Sequence, residues 1–302
     1  MMTNFDQLVA RSRDSGMRTI CVAAAQDREV LLAVKGADEM GLARSILVGN
    51  EGAIRALCDE IGLDRNIAIV HETDDAAAAL LAAELVMRGE ADVLVKGRIN
   101  SSDFLKAALD PHRGLRSGRL LSHIAVFEIP SFPKLVFHSD GGINVAPTLD
   151  EKEQIVRNAI EVIFRLGVAV PKVAILAANE RASPGMTATM DARALVERWK
   201  DGRFPPCIIE GPIAMDVAAS RDAAVSKGIA SAIAGDVDIF IVPNIEAGNM
   251  IGKTLVHYAG AKIAGLVAGA LKPIVMVSRS DNARAKIDSI ALACLVAARS
   301  GG

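Results

Sequence analysis

Short continuous runs of aliphatic and β-branched residues alternate along this chain with longer segments of helical periodicity, and this rhythm limits the folds open to it. The strand candidates are Thr19–Ala24, Ser45–Val48, Ile67–Val70, Asp92–Val95, Ile124–Glu128 and Leu135–His138 in the first half. Val173–Ala177, Cys207–Ile209, Asp238–Val242 and Ile274–Val277 follow in the second. Most are apolar throughout rather than at every second position, the mark of strands covered on both faces. Parallel strands need crossover helices, so the alternation predicts a mostly parallel α/β architecture. Apolar residues make up 51% of the chain and aromatics only 3%, which leaves Ala, Val, Ile and Leu to fill the core.

A length of 302 residues suits one large or two medium domains. The rhythm breaks once, where Ile124–Glu128 and Leu135–His138 follow each other across Ile129-Pro130-Ser131-Phe132-Pro133 without a helix between. An antiparallel pair or a domain crossing explains this, and a boundary is expected near residue 125. The clearest helix starts at Thr148, with Glu151 at capping-box spacing. Ile155, Ala159, Ile163 and Leu166 then share a face, and Gly167 ends it.

Composition excludes several classes. The net charge of −2 and the lack of a basic stripe argue against nucleic acid, although Arg113, Arg116 and Arg119 could hold a small phosphorylated ligand as well as face solvent. Cys21, Cys58, Cys207 and Cys294 are scattered among apolar neighbours and read as buried free thiols of a reducing compartment. The five histidines show no ligand spacing, so no metal is expected. Met1–Met17 lacks an apolar leader core, and Ala259–Val277 is broken by Lys262, Lys272 and Pro273. A cytoplasmic, non-membrane protein is expected.

Ligands of open α/β sheets bind at the carboxyl ends of strands, which draws attention to three junctions. In Lys96-Gly97-Arg98-Ile99-Asn100-Ser101-Ser102-Asp103 a glycine turn precedes a helix that Ser101 or Ser102 would cap, with basic side chains alongside suited to a phosphate or carboxylate. Ala247-Gly248-Asn249-Met250-Ile251-Gly252-Lys253-Thr254 nearly matches the nucleotide-binding loop G-x-x-x-x-G-K-[ST], with Ala247 in place of the first glycine and Ala259-Gly260-Ala261 continuing a helix-like region. Ser278-Arg279-Ser280-Asp281 sets a hydroxyl, a guanidinium and a carboxylate just past a buried strand. That grouping can orient a phosphate, stabilise an oxyanion and accept a proton, or simply cap a helix.

Taken together these segments resemble the phosphate acetyl/butyryltransferase family, with the butyryltransferase branch the more similar. The resemblance is carried by Lys96-Gly97 through Leu109, Gly118–His123, Asn144–Leu149, Gly211-Pro212, Val242–Asn249 with Lys253, Ala259–Lys262, and Ser278-Arg279. It implies two mostly parallel α/β domains, the second inserted in the first, with the active site in the interdomain cleft. Residues 1–124 and 272–302 would form the first domain and 125–271 the second. It further implies a homodimer, CoA, phosphate and acyl phosphate as partners, and no tightly bound cofactor.

Carried onto this sequence, the resemblance makes Ser278 the group that steadies the thiol or oxyanion and Arg279 the contact to the acyl phosphate. Asp281 is the nearest acid, closer to the pair than the base proposed in acetyltransferases. Asn249, Lys253 and His257 would line the cleft with Asn144, while Lys96, Gly97, Ser101, Ser102 and Lys106 would help to bind phosphate or CoA. His257 and Lys106 stand where acetyltransferases carry arginine. Two other readings stay open: an ATP-dependent small-molecule kinase using Ala247–Thr254, and a CoA-binding subunit without catalysis.

Overall fold

A computed structural model describes residues 2–277 and 282–298, and the chain divides into two compact units. One comprises residues 4–119 and 264–302, the other residues 1–3 and 120–263.

The discontinuous unit is built as the alternation predicts. Its elements run α1 (Phe5–Asp14), β1 (Arg18–Ala23), α2 (Arg28–Glu39), β2 (Ala43–Gly49), α3 (Glu51–Ile61), β3 (Ala68–His71), α4 (Asp75–Met87), β4 (Val93–Lys96) and α5 (Ser101–Ala108). The chain returns with β10 (Lys262–Ala268), whose first two residues fall in the other unit, then β11 (Ile274–Val275) and α11 (Ala283–Ala297). The strand order is β3-β2-β1-β4-β11-β10. All neighbours pair in parallel except β10 and β11, which meet antiparallel at Val267 and Ile274. β4 is buried along its whole length, as a continuous apolar run requires, whereas the edge strand β3 is not.

Asn and Asp side chains start these helices. Asn4, Asp27, Asn50, Asp74 and Asn100 each accept a hydrogen bond from the backbone N–H three residues on. α11 is buried nearly throughout and packs on α1 and α2. The fit against α2 depends on Gly36, where an added Cβ would lie 2.5 Å from Ile287 Cδ1.

The continuous unit contains β5 (Ser122–Glu128), β6 (Val136–Ser139), α6 (Leu149–Arg165), β7 (Lys172–Leu176), α7 (Thr187–Lys200), β8 (Ile208–Ile213), α8 (Met215–Ala219), α9 (Arg221–Ser226), β9 (Ile239–Ile241) and α10 (Ile245–Tyr258). Its strand order is β5-β6-β9-β7-β8. The break at residues 129–133 proves to be the antiparallel turn between β5 and β6, with Ala125 opposite His138 and Phe127 opposite Val136. The remaining pairs are parallel. Val136, Ala174, Ile213, Val237 and Phe240 form a core with the small helices α8 and α9 packed over it. Thr148 and Glu151 complete the capping box, and Ile155, Ala159, Ile163 and Leu166 are buried. Gly167 follows in the left-handed region at φ +87°.

Two expectations are corrected. The stretch after α10 is not helical: Gly260 turns at φ +65° and β10 begins at Lys262. Its sequence, Lys-Ile-Ala-Gly-Leu-Val-Ala, is poor in β-branched residues, and burial rather than propensity makes it a strand. The nucleotide-binding-loop reading also fails. Gly248, Gly252, Lys253 and Thr254 all lie inside α10, whose amides after the first turn bond to their own helix and cannot wrap a phosphate.

Candidate active site

In the discontinuous unit, β1 has β2 on one side and β4 on the other, so the chain order reverses between β1 and β4. Such a switch point opens the ligand crevice of a doubly wound sheet. Gly97 sits there against bare backbone: its N–H donates to Ala23 O at 2.9 Å and that of Arg98 to Ala24 O at 2.7 Å. Ala24 itself is in the left-handed region at φ 50°.

Lys96 is buried at 6% exposure, and its Nζ lies 3.5 Å from Gly97 O. The cap of α5 is Asn100 rather than Ser101 or Ser102. Its Oδ1 accepts from Asp103 N at 2.9 Å and from Ser102 Oγ at 3.0 Å. Asn is as good a cap as Ser, and it reaches the helix one residue earlier. Ser101 is exposed on the first turn. Lys106 bonds to Asp103 Oδ1 at 3.3 Å along its own helix. Hydrogen bonds from Asn100 and Lys106 hold the Asp103 carboxyl below its ordinary range. Arg113 is likewise occupied, donating to Glu84 Oε2 from its Nε at 2.6 Å.

In the continuous unit, β6 and β9 lie side by side and both end at loops that carry expected site residues. Asn244 caps α10 by accepting from Ala247 N at 3.0 Å. Asn249, Lys253 and His257 then recur at four-residue intervals on an exposed face of that helix. None of the three forms a side-chain hydrogen bond or ion pair among the described residues.

Asn144 is differently placed. Its Nδ2 donates to Leu121 O at 2.8 Å and to Asp140 Oδ2 at 2.6 Å, which leaves only Oδ1 for a ligand. The sequence reasoning missed Asp140, a buried carboxylate that organises this loop, although an acid before two glycines and an Asn is a recognisable turn signature.

Beside it, His138 is buried with its ring edge-on to Phe127 at 6.1 Å, and its Nε2 has no hydrogen-bond partner among the described residues. Burial, with help from His123, lowers its pKa from 6.5 to about 4, so the ring is neutral at physiological pH. The cysteines are buried thiols, and desolvation pushes Cys21 and Cys294 up to about 12 and Cys207 to about 11, far from a nucleophile's range. Among the described residues there is no cluster of potential metal ligands and no helix long and apolar enough to cross a membrane. Ser278, Arg279 and Asp281 lie outside the described residues.

The chain belongs to the phosphate acetyl/butaryl transferase family, which it matches over residues 66–294, and it is a phosphate acyltransferase. Among individual relatives, the phosphate butyryltransferase of Clostridium acetobutylicum is 41% identical over 98% of this chain and 99% of its own. The phosphate acetyltransferase of Thermotoga maritima is 37% identical over 97% of this chain and 99% of its own. A crystal structure of a branched-chain phosphotransacylase from Enterococcus faecalis V583 superposes with a TM-score of 0.84 at 33% identity, covering 93% of this chain and 99% of that one.

Proposed function

We propose that this enzyme moves an acyl group of about butyryl size between CoA and inorganic phosphate. The observation that carries this reading is the near full-length likeness to a phosphate butyryltransferase, at higher identity than to the acetyltransferase described above.

The CoA thiolate attacks the acyl carbonyl directly. A C–S bond forms, the bond from the carbonyl carbon to the phosphate oxygen breaks, and phosphate leaves. A free thiol has a pKa of about 8.5, so a base assists by taking its proton. Asp281 is the candidate base, Ser278 steadies the thiol or the oxyanion, and Arg279 contacts the acyl phosphate. Asn249, Lys253 and His257 offer a cation-bearing face to the phosphate, and Lys96 with the start of α5 offers a second. The chain acts as a cytoplasmic homodimer without a metal.

Thiol release tests the reaction, with acetyl-, propionyl- and butyryl-CoA in parallel, phosphate as acceptor and EDTA present. Phosphate-dependent release that is fastest with butyryl-CoA is expected, and loss of it in Ser278→Ala and Arg279→Ala. Release fastest with acetyl-CoA would overturn the chain-length assignment. Folded protein that binds CoA but releases none would leave a non-catalytic CoA-binding subunit instead. Light scattering should give twice the 31.7 kDa chain mass.

A further inference from the structure

Asp140-Gly141-Gly142-Ile143-Asn144 reads as a glycine-rich anion cradle, yet three of its backbone N–H groups are already engaged. Those of Gly142 and Ile143 donate to Asp140 Oδ1 at 2.8 and 3.0 Å, and that of Asn144 to Oδ2 at 3.3 Å. The N–H of His123 on β5 and Asn144 Nδ2 also reach Oδ2, at 3.2 and 2.6 Å. The carboxylate is 3% exposed. It is an internal anion, and the loop is wound around it.

That loop bears directly on α10. A Cβ on Gly141 would lie 2.8 Å from the carbonyl carbon of Gly248 and 3.2 Å from Asn249 N, so the two backbones meet where neither can carry a side chain. Val145 O accepts from Ile245 N at 3.0 Å, and Ser139 O from Val242 N at 2.9 Å. The first turn of α10, and the Asn249–Lys253 face that grows from it, is seated on this loop.

We infer that Asp140 is a positioning residue for acyl transfer: as the loop's internal anion it sets where α10 presents Asn249 and Lys253 to the phosphate-bearing substrate. This rests on the role proposed above for that face. Asp140 acts through α10 and not on the reacting atoms.

The test measures KM and kcat for phosphate in wild type, Asp140→Asn, Gly141→Ala and Lys253→Ala. An amide at position 140 turns a donor toward donors that need an oxygen, and a methyl at 141 pushes the loop off Gly248. Both variants should raise the phosphate KM about tenfold, against a smaller change in kcat. A merely structural role would lower the maximal rate with the folded fraction and leave KM unmoved. If Asp140→Asn does not fold, Gly141→Ala decides alone. A raised KM in Lys253→Ala with none in the other two overturns the positioning role. An unchanged KM in Lys253→Ala removes the α10 site, and this inference with it.

Discussion

Replacing Gly97 by Ala should destabilise the discontinuous unit far more than a methyl group's size suggests. The added Cβ would lie 2.3 Å from Ala24 O, 2.5 Å from Ala23 O and 2.9 Å from Ala24 C, all of them backbone atoms that no rotamer change can move. Ordinary contact begins at 3.4 Å, so β1 and β4 must part by about 1 Å at their carboxyl ends. That movement stretches the bonds from Gly97 N and Arg98 N to the same two carbonyls. Two weakened hydrogen bonds cost roughly 1–3 kcal/mol, and overpacking adds about 1–3 kcal/mol. A loss of about 2–6 kcal/mol leaves most domains folded but lowers the melting midpoint by roughly 5–20 °C. Thermal unfolding followed by circular dichroism measures this. A midpoint within about 2 °C of wild type would refute the claim that this junction is closed to a side chain.

His138 gives the protein an acid sensitivity with a defined window. Its folded pKa of about 4 lies below the ordinary 6.5, so the unfolded chain binds the extra proton. Stability is full above pH 6.5 and falls by up to about 3 kcal/mol as pH drops to 4. His138→Phe should flatten that slope in urea titrations at pH 7 and 4.5, and an unchanged slope would assign it to other groups. Thr148→Ala removes the Oγ1 that accepts from Glu151 N, while the backbone N–H of residue 148 still reaches the Glu151 carboxylate; it should cost about 1 kcal/mol, seen as a lower urea midpoint at constant m, and Thr148→Ser should retain most of it.

The strand–helix alternation was legible because buried parallel strands need apolar runs, which β1, β4, β7 and β9 carry as Ile20–Ala23, Val93–Val95, Val173–Leu176 and Ile239–Ile241. β10 was not, because its Ala and Gly residues carry no strand signal and only its neighbours make it one. At the site, four-residue spacing put Asn249, Lys253 and His257 on one exposed helix face, which periodicity alone could supply. The kinase alternative stayed open in the sequence because residue identity does not say whether a glycine precedes a helix or lies within it. That the Asn144 amide nitrogen is consumed inside the loop, leaving Oδ1 for a ligand, was not legible, because its partners Leu121 O and Asp140 Oδ2 are set by the fold. Asp140 carried a local turn signature, but that its carboxylate is buried and also takes the N–H of His123 from another strand was not legible.

The interrupted course of the discontinuous unit has a consequence for how the chain is made. β4 needs β11 beside it, and α1 and α2 need α11 across them, yet these pieces leave the ribosome about 180–200 residues after β4. At about 5–20 residues per second that is a wait on the order of 10–40 seconds. Residues 120–263 form a nearly continuous stretch and can close in the interval. The part of the protein translated first is therefore completed last, and until then an apolar strand edge and two helix faces stand open to chaperones or to other nascent chains.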